Sequence, residues 1–80
     1  MHEECGVVGV SYNNDTPSAL SIYYALYALQ HRGQESAGIG VHDGIQINAL
    51  KGMGLVPEVF NRLDIQRLKG SVGIGHVRYS

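Results

Sequence analysis

The sequence predicts an α+β fold, and three observations carry that prediction. Short β-branched runs with alternating character stand at 6–12, 36–42, 45–51 and 71–79. One stretch, 17–31, repeats apolar residues at helical spacing. Asp43-Gly44 divides two of the alternating runs as a hairpin turn does. The resulting order is strand, helix, strand, strand, short helices, strand.

In the first strand, Val8, Val10 and Tyr12 share one face, and Val7, Gly9 and Ser11 the other. The second set is small enough to lie under a close-packed layer. Asn13-Asn14-Asp15 is a turn cluster. Thr16-Pro17 reads as an N-cap followed by proline at the first helical position, where its missing N–H costs nothing. The helix then runs to about His31, with Ala19, Ile22, Leu26 and Leu29 as its apolar stripe and Tyr23, Tyr24 and Tyr27 broadening it. Gly33 is placed to stop it in a left-handed conformation. Beyond the hairpin, 52–55 is a glycine-containing loop, and 56–68 holds one or two helical turns, with Pro57 near one start and Asp64 capping another. Gly70 closes that region. The last strand puts Val72, Ile74, His76 and Arg78 on one face. It ends at Tyr79, one residue from the end of the chain, and is expected to leave an open edge.

Composition narrows the function classes. Of 80 residues, 44% are apolar and only 16% charged, which is globular and not disordered. A net charge of −1 offers no basic field for a nucleic acid or an anionic membrane surface. No apolar run approaches the roughly 20 residues of a membrane helix, and Met1-His2-Glu3-Glu4 is unlike the basic start of a signal peptide. A single cysteine permits no internal disulfide. Together these lead to the expectation of a cytoplasmic protein. The four histidines show no metal-ligand spacing, so no metal site is expected. The 11 glycines sit inside apolar segments, a sign of close backbone approach.

Three motifs carry chemistry. Cys5-Gly6 opens the first strand. A lone cysteine is most often a small buried hydrophobe; freed of Met1–Glu4, however, Cys5 would hold a thiol and an α-amine that can act as its base. The second motif is Gln30-His31-Arg32-Gly33-Gln34-Glu35-Ser36. Its bland reading is a helix end with basic residues at the negative pole and a glycine cap. The third is Gly73-Ile74-Gly75-His76-Val77-Arg78-Tyr79-Ser80. It is either a strand with a solvated arginine, or one that offers Arg78 as a fork for a planar carboxylate. His76, on the same face, either orients that site or packs.

In combination these motifs resemble the class II glutamine amidotransferases, the N-terminal-nucleophile hydrolases, and among them the amidophosphoribosyltransferases. His31-Arg32-Gly33-Gln34 and Gly75-His76-Val77-Arg78-Tyr79 are the discriminating pieces, and the resemblance covers 5–80. It implies residues 1–4 as a propeptide and residues 5–80 as part of a four-layer αββα sandwich, with Cys5 opening an inner strand. It also implies Cys5 as the catalytic nucleophile on the glutamine side-chain amide. Arg78 would bind the substrate α-carboxylate, and Arg32, Gly33 and His76 would support the site. Ammonia would then pass to a phosphoribosyltransferase domain for the first committed step of purine synthesis.

The family's oxyanion Asn-Gly pair and its grip on the substrate amino group lie on later strands, and the 80 residues hold no Asn-Gly pair. Oxyanion donors contribute about 10²–10³-fold in rate, so an isolated chain of this length is expected to be inactive. The alternative is a non-catalytic partner module built from the same domain. No cofactor is expected within the segment: magnesium belongs to the phosphoribosyltransferase part, and one cysteine cannot hold the iron–sulfur cluster of some relatives. The expected partners are glutamine, the remainder of a parent enzyme or a complementing chain, and further copies in a homo-oligomer. An isolated 80-residue piece is expected to be marginal in stability, oligomeric, or altered in its strand pairing.

Overall fold

The computed structural model describes residues 5–30 and 34–79, with Cys5 described in its backbone. Strand β1 (Cys5–Ser11) leads to helix α1 (Ala19–Leu29). Strands β2 (Gln34–His42) and β3 (Ile47–Met53) form the hairpin. Helices α2 (Val56–Val59) and α3 (Arg62–Arg67) precede strand β4 (Val72–Tyr79). The α+β class and the element order follow the sequence reading.

All pairings in the four-stranded sheet are antiparallel, and the order is β1-β4-β2-β3. The last strand is therefore interior, where an open edge was expected. Its small residues explain why. On the helix side β4 presents Gly73, Gly75, Val77 and Tyr79, all buried. A Cβ at Gly75 would overlap Ile22 and Leu26, and one at Gly73 would come 2.8 Å from Ile22 Cδ1. The two glycines let α1 settle directly on the middle of the sheet. Among the described residues the edges of this sheet are β1 and β3.

The core lies between α1 and one sheet face. Ala19, Ile22 and Leu26 pack with Ala37, Ile39, Val41 and Val77, and Val56, Phe60 and Leu68 close the side. Burying residues of this size stabilises by about 1.5–3 kcal/mol each. Tyr24 and Tyr27, read as a broadening of the stripe, are exposed, while Tyr23 packs edge-on against Phe60.

Boundaries moved where side chains found other partners. Helix α1 starts at Ala19 after Ser18, whose hydroxyl donates to the Gly70 carbonyl at 3.0 Å, so Thr16-Pro17 precede the helix. Thr16 is held instead by its N–H donating to Asn14 Oδ1. The hairpin loop spans four residues: Asp43 Oδ1 accepts from the N–H groups of both Ile45 and Gln46, and β3 begins at Ile47. The cap of α3 is Asn61, with Asp64 reciprocating from the third helical position. Gly33, read as the stop of α1, lies outside the described residues; the C-cap seen is Gln30.

The sheet's other face is bare. Val7, Ile74 and Ile47 are 72%, 61% and 73% exposed, against 0% for Ile22 and Leu26 on the helix side. The division of β1 is as read, but its Val7-Gly9-Ser11 side is the uncovered one among the described residues.

Candidate active site

Register builds the site. Cys5, the first residue of β1, pairs with Arg78 near the end of β4, and Arg78 pairs on its other side with Ser36 of β2. One step along, Val7 pairs with His76, and His76 with Gly38. The two motifs at opposite ends of the sequence thus meet as adjacent strands, whose backbones run about 4.8 Å apart. Antiparallel pairing brings the start of one strand to the end of the other, which is why a nucleophile candidate at residue 5 meets an arginine at residue 78.

Arg78 is exposed on the bare face and makes no ion pair or side-chain hydrogen bond among the described residues. Its five N–H donors are available to a planar anion. Lys51, the register partner of Gly38, adds a second positive charge on the exposed side of β3. Such an arrangement favours a carboxylate ligand over a cation. His76 has a specific seat. Its imidazole lies over Gly38, where a Cβ would come 2.5 Å from Nε2. Glycine at 38 is what leaves room for the ring against β2.

A register shift between Gln34 and Ser36 lets Gln34 turn to the covered side opposite Tyr79, while Ser36 stays opposite Arg78. Tyr79, beside Arg78 but on the covered side, donates its hydroxyl hydrogen to the Leu29 carbonyl at the end of α1. The site's strand is thus tied to the helix that leads into residues 31–33. Arg32 and Gly33, both read as supporting, lie outside the described residues.

Among the described residues no group of three or more His, Cys, Asp or Glu is gathered as a metal site would require. One cysteine cannot furnish the thiolates of an iron–sulfur cluster. No described helix is long and apolar enough to cross a membrane.

Sequence reading found Cys5, His76 and Arg78 through the motifs, and the structure brings Arg78 into register with Cys5, and His76 one step further along β4. It missed Ser36 and Gly38 as neighbours of Arg78 and His76. Ser36 closes the second motif and Gly38 lies on the alternating strand beyond it, but the strand order that sets them beside Arg78 and His76 was not readable from either signal.

No family model matches the chain. Individual proteins do. The chain is 58% identical, over 81 residues, to an amidophosphoribosyltransferase of Methanothermobacter thermautotrophicus, matching all of this chain and 17% of that protein. It is 48% identical over 80 residues to the amidophosphoribosyltransferase of Bacillus subtilis, matching 16% of it. Among solved structures it resembles a glutamine phosphoribosylpyrophosphate amidotransferase from B. subtilis complexed with ADP and GMP. That match has a TM-score of 0.81 at 44% identity, over 92% of this chain and 16% of the other. It also resembles a structure described as the allosteric regulatory enzyme of purine biosynthesis, with a TM-score of 0.79 at 46% identity. The chain spans about one sixth of the length of these proteins.

Proposed function

We propose, for a chain homologous to the N-terminal segment of the amidophosphoribosyltransferases, that it forms the nucleophile-bearing part of a glutamine-hydrolysing site. The observation that carries this reading is the register pairing of Cys5 with Arg78. It sets a nucleophile candidate beside an unengaged carboxylate receptor, as hydrolysis of an amino-acid side-chain amide requires.

The chemistry runs in two stages. Removal of Met1–Glu4 leaves Cys5 with a free α-amine, which takes the thiol proton directly or through water. The thiolate attacks the glutamine side-chain carbonyl carbon. The tetrahedral adduct collapses, the amide nitrogen leaves as ammonia carrying that proton, and a γ-glutamyl thioester remains. Water then attacks the thioester, releasing glutamate and restoring the thiol. Arg78 holds the α-carboxylate by a bidentate pair, which fixes the reach of the side chain to Cys5. Arg32, Gly33 and His76 support this geometry.

In the complete enzyme the ammonia displaces pyrophosphate from phosphoribosyl pyrophosphate, giving phosphoribosylamine, the opening step of purine synthesis. That half belongs to the other five sixths of the parent, as do any magnesium ion and iron–sulfur cluster. We assign the reaction to the cytoplasm and to a homo-oligomeric enzyme. The bare sheet face, with Val7, Ile47 and Ile74 exposed, is where the remainder of the parent or a complementing chain stacks. This apolar exposure also supports the second reading, in which the 80-residue piece serves as a non-catalytic partner module.

The test is intact mass before and after incubation with 6-diazo-5-oxo-L-norleucine, a glutamine mimic that alkylates nucleophiles of this class. The protein used is the Methanothermobacter relative with its N-terminal segment replaced by this chain. Loss of residues 1–4 and one adduct mapped to Cys5 supports the reading. A processed chain that hydrolyses no glutamine and takes no adduct contradicts it. The isolated 80-residue chain is expected to take no adduct.

A further inference from the structure

We propose that Ser36 is a positioning residue of the candidate site: its hydroxyl accepts a hydrogen bond from the Arg78 guanidinium and seats the arginine for a substrate carboxylate. The proposal rests on the reading of Arg78 as the carboxylate receptor and deepens it.

Three observations carry it. The first is register. Ser36 of β2 stands directly opposite Arg78 of β4, so the two side chains leave the sheet on the same, bare face. Directly opposed residues of an antiparallel pair have Cβ atoms about 4.5–5.5 Å apart, a separation that an arginine N–H and a serine Oγ can bridge. Across the other side of Ser36 the opposed residue is Met53 of β3, an exposed thioether and a weak acceptor. Gly38, next along β2 on that face, brings no side chain. The second observation is the register shift just before Ser36. Strict alternation would set the long side chain of Gln34 on the face of Ser36, beside Arg78. The shift between Gln34 and Ser36 turns it to the covered side instead, where Gln34 is 7% exposed. There its Nε2 donates to the carbonyl of Ser36 at 3.0 Å and to that of Gly54 at 2.7 Å. Gln34 thus clears the neighbourhood of Arg78 and fixes the backbone of the residue that stays in it.

The third observation is that both groups are unengaged. Among the described residues neither the Ser36 hydroxyl nor the Arg78 guanidinium makes a side-chain hydrogen bond, and Glu35 forms no ion pair with Arg78. A carboxylate held bidentately takes two of the five guanidinium N–H donors and leaves the others in need of an acceptor. The hydroxyl in register supplies one. It also restrains a long side chain before substrate arrives, so less ordering is left for binding to oppose. Ser36 accordingly acts on substrate through Arg78 and not by contact.

The test is Cys5 alkylation by 6-diazo-5-oxo-L-norleucine in the Methanothermobacter enzyme carrying this segment. The variants are Ser36→Ala, Ser36→Thr, Arg78→Met and the double variant Ser36→Ala with Arg78→Met. The half-saturating concentration and the maximal alkylation rate are measured for each, with the thermal midpoint as a check on folding. Loss of a hydrogen bond to a charged group changes an equilibrium about 10-fold. Ser36→Ala should raise the half-saturating concentration by about that factor, with the maximal rate near the parent's. Ser36→Thr keeps the hydroxyl and should restore binding. In the Arg78→Met background Ser36→Ala should add nothing, because the group it positions is gone. An equal loss from Ser36→Ala in both backgrounds would overturn the proposal in favour of a packing role. Ser36→Ala without effect, beside a weakened Arg78→Met, overturns the proposal and leaves Arg78 as the receptor. Arg78→Met without effect overturns the proposal together with the reading on which it rests.

Discussion

The two faces of the sheet are made by the same strands and have opposite fates. On one, Gly73, Gly75, Val77 and Tyr79 of β4 alternate with Ala37, Ile39 and Val41 of β2 beneath α1, and all are buried. On the other, Val72, Ile74, His76 and Arg78 are exposed, with Cys5 in register beside Arg78. A one-residue step along β4 moves from a position where a methyl group cannot be fitted to one that solvent reaches freely. The difference separates two jobs. The covered face holds the fold together, and the bare face carries the groups with chemical potential and the apolar surface that a further layer would cover. Substitutions on the two faces should therefore fall in different measurements.

The largest effect on stability is expected at the heart of the covered face. Leu26→Ala removes a fully buried side chain and should cost about 2–5 kcal/mol, read as a lowered urea midpoint of the chimeric enzyme that carries this segment. Gly75→Val comes next. Its added atoms meet Ile22 and Leu26, and overpacking of this kind costs about 1–3 kcal/mol. A neutral Gly75→Val would break the claim that α1 rests on the β4 backbone.

On the bare face the same strand should tolerate change. Ile74→Thr keeps the β-branch at a 61% exposed position and should shift stability by no more than about 0.5 kcal/mol. If that substitution costs as much as Leu26→Ala, the face is covered in solution and the contrast fails.

The smallest effect concerns the hairpin, which belongs to neither face. The backbone N–H groups of Gln46 and Ile45 hold the Asp43 carboxyl below its ordinary value of 3.8. A folded-state value below the unfolded one means the contribution is present above pH 3.8 and is lost as pH falls through the lower, folded value. An NMR titration should show the amides of Ile45 and Gln46 moving with Asp43, with a midpoint below pH 3.8. Asp43→Asn, which keeps an accepting oxygen, should abolish that movement.

Much of this was legible in the residues, and what was not has physical reasons. Period-2 alternation assigned His76 and Arg78 to one face because side-chain direction along a strand is local. The glycines of β4 signalled close approach but not by what, and the covering by Ile22 and Leu26 is tertiary. Strand order escaped because pairing β4 between β1 and β2 is decided by which strand fits under α1, a contact across some fifty residues. The loop at Asp43 was read two residues too short, since Asp-Gly favours a two-residue hairpin while the Asp43 carboxylate, by bonding Ile45 and Gln46, supports a four-residue one. Thr16-Pro17 was a plausible helix start, overridden when Ser18 found the Gly70 carbonyl. For the candidate site, the motifs named Cys5, His76 and Arg78, but that Cys5 stands in register with Arg78 needed the sheet.

The central claim is that Arg78 receives the α-carboxylate of a substrate whose side chain reaches Cys5. The most direct test is the concentration dependence of Cys5 alkylation by 6-diazo-5-oxo-L-norleucine in the chimeric enzyme, with and without Arg78→Met. Hydrogen bonds to a charged group contribute about 1.5–3 kcal/mol, so the half-saturating concentration should rise about 10- to 100-fold in the variant, with modification still confined to Cys5. An unchanged half-saturating concentration would mean that the carboxylate is held elsewhere, and the site would have to be rebuilt without Arg78.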